Sequence, residues 1–140
     1  MPLAAPAPPP SQATVLVVED DEHLRDLVVQ LLGRFGYAAR QVGSAEEALE
    51  ALDESADVAL VLTDLVMPGM SGLDLTQVLA DRHPHLPVLL TTAHWNPDLQ
   101  RLLDRTGTDL IRKPYTAPDL RAAVDAACRA TSAPDPQGLR

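Results

Sequence analysis

Three carboxylates, a hydroxyl and an amine stand at the ends of separate apolar runs in this chain, and their types suit them to act together. Glu19 and Asp20, followed by Asp21, close the run "ATVLVV". Asp64 closes "DVALVLT" and precedes the loop "LVMPGMSG", Thr92 closes "LPVLLT", and Lys113 follows "TDLIR". Clustered carboxylates repel one another and raise their own pKa values unless a cation joins them. A donor set made only of oxygen suits a hard ion, and in a small acidic cleft that also meets phosphate the natural ion is Mg²⁺. A carboxylate beside such an ion can attack an activated phosphoryl group and hold it as an aspartyl phosphate. A lysine and a hydroxyl would then meet the charge on the phosphoryl oxygens, where phosphoryl transfer needs it met. Acids after strands also serve as helix caps, and for Asp21, directly ahead of a helical pattern, capping is the better reading.

For this chemistry the run ends must converge, and the spacing of apolar residues says how they do so. After the first run, Leu24, Leu27, Val28, Leu31 and Leu32 recur at helical spacing, with Gly33 and Gly36 near the end. "YAARQV" reads as a second strand, and Ser44 with Glu47 at capping-box spacing opens a helix marked by Ala48, Leu49 and Leu52. "DVALVLTD" is apolar at consecutive positions, as expected of a parallel strand covered on both faces. "SGLDLTQVLADRH" is a third helix and "LPVLLTTA" a fourth strand. Asn96 and Pro97 suit the N-cap and first turn of a fourth helix through "PDLQRLLDRT". "TDLIRK" is a fifth strand, and Thr116 with Asp119 repeats the capping spacing ahead of "DLRAAVDAACRA". Alternating strands and helices with short connections predict an α/β fold, a doubly wound five-stranded parallel sheet with five helices on its two faces. In such a sheet, functional groups gather beyond the carboxyl ends of the strands, near the switch in strand order.

Composition narrows the function further. The 140 residues are 46% hydrophobic but only 3% aromatic, so few rings are available to stack on bases. A net charge of -9 repels phosphate backbones and anionic membranes and suits cations or basic protein surfaces. Nucleic-acid binding and membrane contact are therefore not expected. The single cysteine, Cys128, excludes an internal disulfide framework and fits a reducing compartment. No apolar run approaches the roughly 18 residues that span a bilayer, and prolines interrupt the N-terminus where a secretory signal would need an apolar stretch. These features predict a cytoplasmic protein. Residues 1–12, "MPLAAPAPPPSQ", read as a flexible linker, residues 13–130 as the domain, and residues 131–140 as a loose tail.

In family order, "VLVVEDDE", "LTDLVMPGMSG", "PVLLTTA" and "RKPY" closely resemble the receiver domain of two-component response regulators, over about residues 13 to 130. The resemblance implies a flavodoxin-like sheet of strand order 2-1-3-4-5. It implies that Asp64 is the phosphoacceptor and that Glu19 and Asp20 form the acidic pair of the Mg²⁺ site, with the main-chain carbonyl of Val66 completing the protein ligands. Thr92 matches the switch hydroxyl, Lys113 the lysine that salt-bridges the phosphoryl group, and Pro114 the proline commonly held in a cis peptide. The implied partner is a histidine kinase or a histidine phosphotransfer protein, and the output a shift between two conformations. Because the chain stops about ten residues beyond the last helix, it is expected to be a stand-alone regulator or relay intermediate, or the receiver of a hybrid histidine kinase, with "LIRKPY" leaning toward the last.

Three departures from the family pattern stand out. Glu19 replaces the frequent Asp, and its longer arm implies contact with the metal through water. Leu110 stands where many receivers carry Tyr or Phe, so it cannot report activation by swinging a ring inward, and the weak homodimer common in the family is less expected here. Val66 and His94 stand two residues beyond Asp64 and Thr92, positions that in the family modulate loss of the phosphoryl group; His94 can orient water and Val66 cannot. Rival readings are a Mg²⁺-dependent aspartyl-phosphate phosphatase, which normally has a second Asp where Val66 stands, and a phosphate-independent interaction module with a vestigial acidic pocket. A flavodoxin-like electron carrier would need a phosphate-binding first loop, which an acidic loop disfavours. His23, His83 and His85 are expected on the surface, Trp95 in a loop or partner contact, and Met67 and Met70 in packing.

Overall fold

Residue parity along the strands decides what faces what. A computed structural model describes residues 13–55 and 57–132, with side chains through 129. Strand β1 (Thr14–Val18) sends Val15 and Val17 to one face and Leu16 and Val18 to the other, so one apolar run feeds two cores. In β3 (Val58–Asp64), Leu60 and Leu62 join the first core and Val61 the second. The first core is closed by α1 (Glu22–Arg34) and α5 (Ala117–Ser132), through Val28, Leu32, Leu120 and Val124. The second is closed by α2 (Ala45–Glu54) and α3 (Gly72–Arg82), through Ala48, Leu52, Leu75 and Leu79. With β2 (Ala38–Val42), β4 (Val88–Thr92), α4 (Pro97–Thr106) and β5 (Asp109–Arg112), the five parallel strands lie in the order β2-β1-β3-β4-β5. This is the flavodoxin-like order, and it places the ends of β1 and β3 side by side with β4 and β5 beyond them.

The helix starts follow the sequence closely. The Asp21 carboxylate caps α1 by accepting from the His23 and Leu24 N–H groups at 3.0 and 3.1 Å. Asn96 caps α4, with Pro97 in its first turn, and Gly107 ends that helix at φ 73°. Thr116 and Asp119 exchange both bonds of a capping box. The Ser44 box is only half reciprocal: Ser44 accepts from the Glu47 N–H, but the Glu47 carboxylate accepts from Gly43 instead of Ser44. A full box at Ser71 and Asp74 opens α3, a pairing that the apolar pattern alone did not single out.

Met67 is buried in the second core, with Met70 packed against it, as expected. His23 and His85 are exposed, and His83, the C-terminal cap of α3, is partly exposed with its Nε2 3.7 Å from Asp53. Cys128 is a buried core residue. The linker expected over 1–12 lies outside the described residues; α5 runs to Ser132, so the first two residues of the tail expected over 131–140 are helical, and the rest lies outside the described residues. No helix among the described residues is long and apolar enough to cross a membrane.

Candidate functional site

The acids at the end of β1 divide their work. Asp21 is spent on capping α1, as above, and its own N–H donates to Glu19 Oε2 at 3.3 Å. The Glu19 backbone N–H continues the sheet to Val42 O at 3.2 Å. The Glu19 carbonyl accepts from Arg25 Nη1 at 2.9 Å, while Arg25 Nε donates to Gln41 at 3.1 Å. Arg25 thus ties the acidic loop to α1 and β2, a role that nothing in its spacing announced. What remains free to face the crevice is the pair Glu19, buried at 6% exposure, and Asp20, which is exposed.

Asp64 is presented by a loop that closes on itself. It lies in phase with Leu60 and Leu62, on the side of the sheet covered by α1 and α5. Beyond it, the Leu65 N–H donates to Thr91 O, and the Gly72 N–H returns to Leu65 O, each at 2.8 Å. The return brings the start of α3 so near that a Cβ on Gly72 would lie 2.2 Å from the Asp64 carbonyl oxygen. Gly69 makes the turn between them at φ 76°.

Lys113 reaches this carboxylate from β5. Its Nζ lies 3.3 Å from Asp64 Oδ2 and 3.7 Å from Glu19 Oε1, and its backbone N–H is held by Thr92 O at 2.8 Å. The Lys113–Pro114 peptide is cis, as the resemblance implied. One oxygen from each of Glu19, Asp20 and Asp64 lies within 4.8 Å of the others. Burial holds the Glu19 carboxyl above its usual range, helped by the Asp64 charge and a hydrogen bond with Asp20 and opposed by the Asp21 N–H and Lys113. Tyr115 lines the same crevice with Glu19 and Asp64, and its phenol is raised by burial first and by those two charges second.

The other expected residues lie at or just beyond the ends of β3 and β4. Thr92 is buried at the end of β4, and its hydroxyl oxygen accepts from the His94 N–H at 2.9 Å. It is thus engaged with its own loop, while the hydroxyl hydrogen stays available to donate elsewhere. Val66, two residues past Asp64, is 57% exposed at the mouth. His94 is exposed on the opposite loop. Sequence spacing groups Glu19, Asp20, Asp64, Thr92 and Lys113; the fold brings the three carboxylates and the lysine together, while the Thr92 hydroxyl bonds within its own loop.

A doubly wound 2-1-3-4-5 sheet with an oxygen-rich crevice and one lysine at its carboxyl edge defines the class of protein. Comparison with known proteins agrees: the response regulator receiver domain matches residues 15–125, and the chain belongs to that family. The response regulator protein FleR of Pseudomonas aeruginosa is 42% identical over 118 residues, covering 84% of this chain and 24% of FleR. The sensory transduction protein RegX3 of Mycolicibacterium smegmatis is 38% identical over 119 residues, covering 83% of this chain and 50% of RegX3. The chain thus spans from a quarter to half the length of these curated relatives. Among solved structures, a response regulator receiver domain protein from Clostridium thermocellum superposes with a TM-score of 0.79 at 30% identity, covering 84% of this chain and 95% of that one.

Proposed function

We propose that this receiver domain takes a phosphoryl group onto Asp64 from a phosphohistidine of a histidine kinase or histidine phosphotransfer protein, in a Mg²⁺-dependent reaction. The observation that carries the reading is the 3.3 Å approach of Lys113 Nζ to Asp64 Oδ2, inside a crevice where Glu19 and Asp20 add carboxylate oxygens. One amine facing three carboxylates leaves negative charge uncompensated, and an all-oxygen donor set of this kind fits a hard divalent cation. Glu19, Asp20 and Asp64, with the Val66 carbonyl by family resemblance, would hold it. When bound, Mg²⁺ supplies charge neutralisation on the phosphoryl oxygens.

The chain's own residues account for the rest. An Asp64 carboxylate oxygen forms the new bond to phosphorus as the phosphorus–nitrogen bond to the donor imidazole breaks, and the imidazole leaves with the bonding pair. Lys113 turns from the carboxylate to a phosphoryl oxygen without leaving the crevice. The Thr92 hydroxyl donates its hydrogen to another, and that new contact biases the domain toward a second conformation. Val66 has no acidic side chain to act as the general acid of a phosphatase, which sets the transfer reading ahead of that rival. We extend the same reading to the domain limits, residues 13–130.

The test is phosphorylation by acetyl phosphate with and without Mg²⁺, on wild type and Asp64→Asn, read by intact mass. A phosphoryl adduct that needs Mg²⁺ and is absent from the variant is the expected result. An equal adduct on Asp64→Asn would place the chemistry elsewhere, and no adduct on folded wild type would favour a phosphate-independent interaction module.

A further inference from the structure

Leu110 leaves β5 without the aromatic ring that many receivers use to couple site and surface, yet one aromatic ring does stand beside the switch loop. Trp95, the single tryptophan of the chain, lies three residues past Thr92. The Arg112 guanidinium sits over its ring, 4.1 Å from the centroid. The indole N–H donates to Gln100 Oε1 at 2.9 Å, and Gln100 in turn donates to Asp104 at the same distance. Trp95 is therefore clamped between β5 and α4, and it is half-buried although His94 and Asn96 on either side are exposed.

Both ends of this clamp run back to the crevice. Arg112 pairs with Thr92 in the sheet and directly precedes Lys113, the residue on Asp64. His94, directly before Trp95, donates its backbone N–H to the Thr92 hydroxyl at 2.9 Å. Contacts and chain neighbours thus join Lys113, Arg112, Trp95, His94 and Thr92 in a circuit closed by the Lys113 N–H on Thr92 O at 2.8 Å, with Asp64 attached through Lys113. A hydroxyl that turns toward a new phosphoryl oxygen also turns its lone pairs. A rotation of the Thr92 side chain that carries its oxygen onto the phosphoryl group takes that oxygen away from the His94 N–H and removes the anchor on the residue before Trp95.

We propose that Trp95 and Arg112 form a positioning latch that holds the loop between β4 and α4 in its unphosphorylated arrangement, and that engagement of Thr92 by the phosphoryl group opens it. The opening step rests on the proposed function; the anchoring of Trp95 through Thr92 does not. The latch biases the equilibrium toward the unphosphorylated conformer, so its loss favours phosphorylation. An exposed cation–π contact is worth about a two- to fivefold shift in such an equilibrium.

Because the chain has one tryptophan, acrylamide quenching of its fluorescence reads the latch directly. Wild type, Thr92→Val and Arg112→Gln are compared unmodified, after circular dichroism confirms each fold, and then after acetyl phosphate and Mg²⁺ treatment with the adduct counted by intact mass. We expect both unmodified variants to quench about twice as readily as wild type, phosphorylated wild type to rise to their level, and Arg112→Gln to accept phosphate two to five times faster. Equal quenching of unmodified wild type and Thr92→Val overturns the latch whether or not any adduct forms. An adduct on wild type with unchanged quenching overturns the opening step while leaving the proposed function standing.

Discussion

Gly72 offers the sharpest test of how the Asp64 loop is built. In Gly72→Ala the new Cβ would lie 2.2 Å from the Asp64 carbonyl oxygen and 3.0 Å from both Asp64 C and Leu65 Cα. Non-bonded carbons pack at roughly 3.5 to 4.0 Å, so the backbone must yield on the order of 1 Å. No flexible side chain stands there to give way, because all three atoms belong to the main chain that carries Asp64. Overpacking of this kind costs about 1–3 kcal/mol, and parting the Gly72 N–H from Leu65 O adds about 1 kcal/mol. The variant should lose about 2–4 kcal/mol in a urea titration. A misplacement of that size should also slow acetyl phosphate phosphorylation roughly a hundredfold. Gly33→Ala is the control: it lies in α1 with nothing within 4 Å of the added Cβ, and should gain about 0.5–1 kcal/mol. A Gly72→Ala protein with wild-type stability and wild-type rate would refute the argument that this glycine is required by close approach.

Three further outcomes are expected. Asp21→Ala removes the acceptor of two N–H groups at the start of α1, and thermal or urea unfolding should show a loss of about 1 kcal/mol; no change would mean that water caps the helix equally well. The Tyr37 phenol is raised above its ordinary value by burial first and by its hydrogen bond to Asp125 second. Below about pH 10 both folded and unfolded chains keep that proton, and above it the unfolded chain releases it first, so stability should fall as pH rises. Tyr37→Phe should cost about 1 kcal/mol at neutral pH yet show a shallower alkaline decline, and parallel declines in urea midpoint above pH 10 would count against the assignment. Finally, phosphoryl lifetime should change in Val66→Asn, which gives the exposed mouth a group able to orient water, and in His94→Ala, which removes one; unchanged hydrolysis in both would dissociate these positions from the reaction.

How much of this was legible beforehand depends on the range of the interaction. Element types are local: the short β-branched run "TVLVV" and the helical spacing in "HLRDLVVQLL" follow from backbone geometry that every few residues must satisfy. The caps at Asp21, Asn96 and Thr116 are likewise decided within three residues, and the structure keeps all three. Acids at two run ends and a lysine at a third were readable too, since parallel strands carry their ends to one edge. Where two short-range partners competed, spacing was less decisive, as when the Glu47 carboxylate chose the Gly43 N–H over that of Ser44.

The sequence by itself thus determined the strands, the helices, their α/β alternation and the group of residues able to meet. Only the tertiary structure decided how they meet. Strand order puts Lys113 within 3.3 Å of Asp64, across 49 residues of chain, a closure that no local period encodes. The packing of α3 against the Asp64 loop makes Gly72 indispensable in a way its neighbours in sequence do not reveal. The tie from Arg25 to Gln41 and the seat of Trp95 beneath Arg112 join elements distant in the chain. Each depends on three-dimensional neighbours chosen by the shared burial of two apolar faces, and that choice belongs to the whole sheet instead of any segment of it.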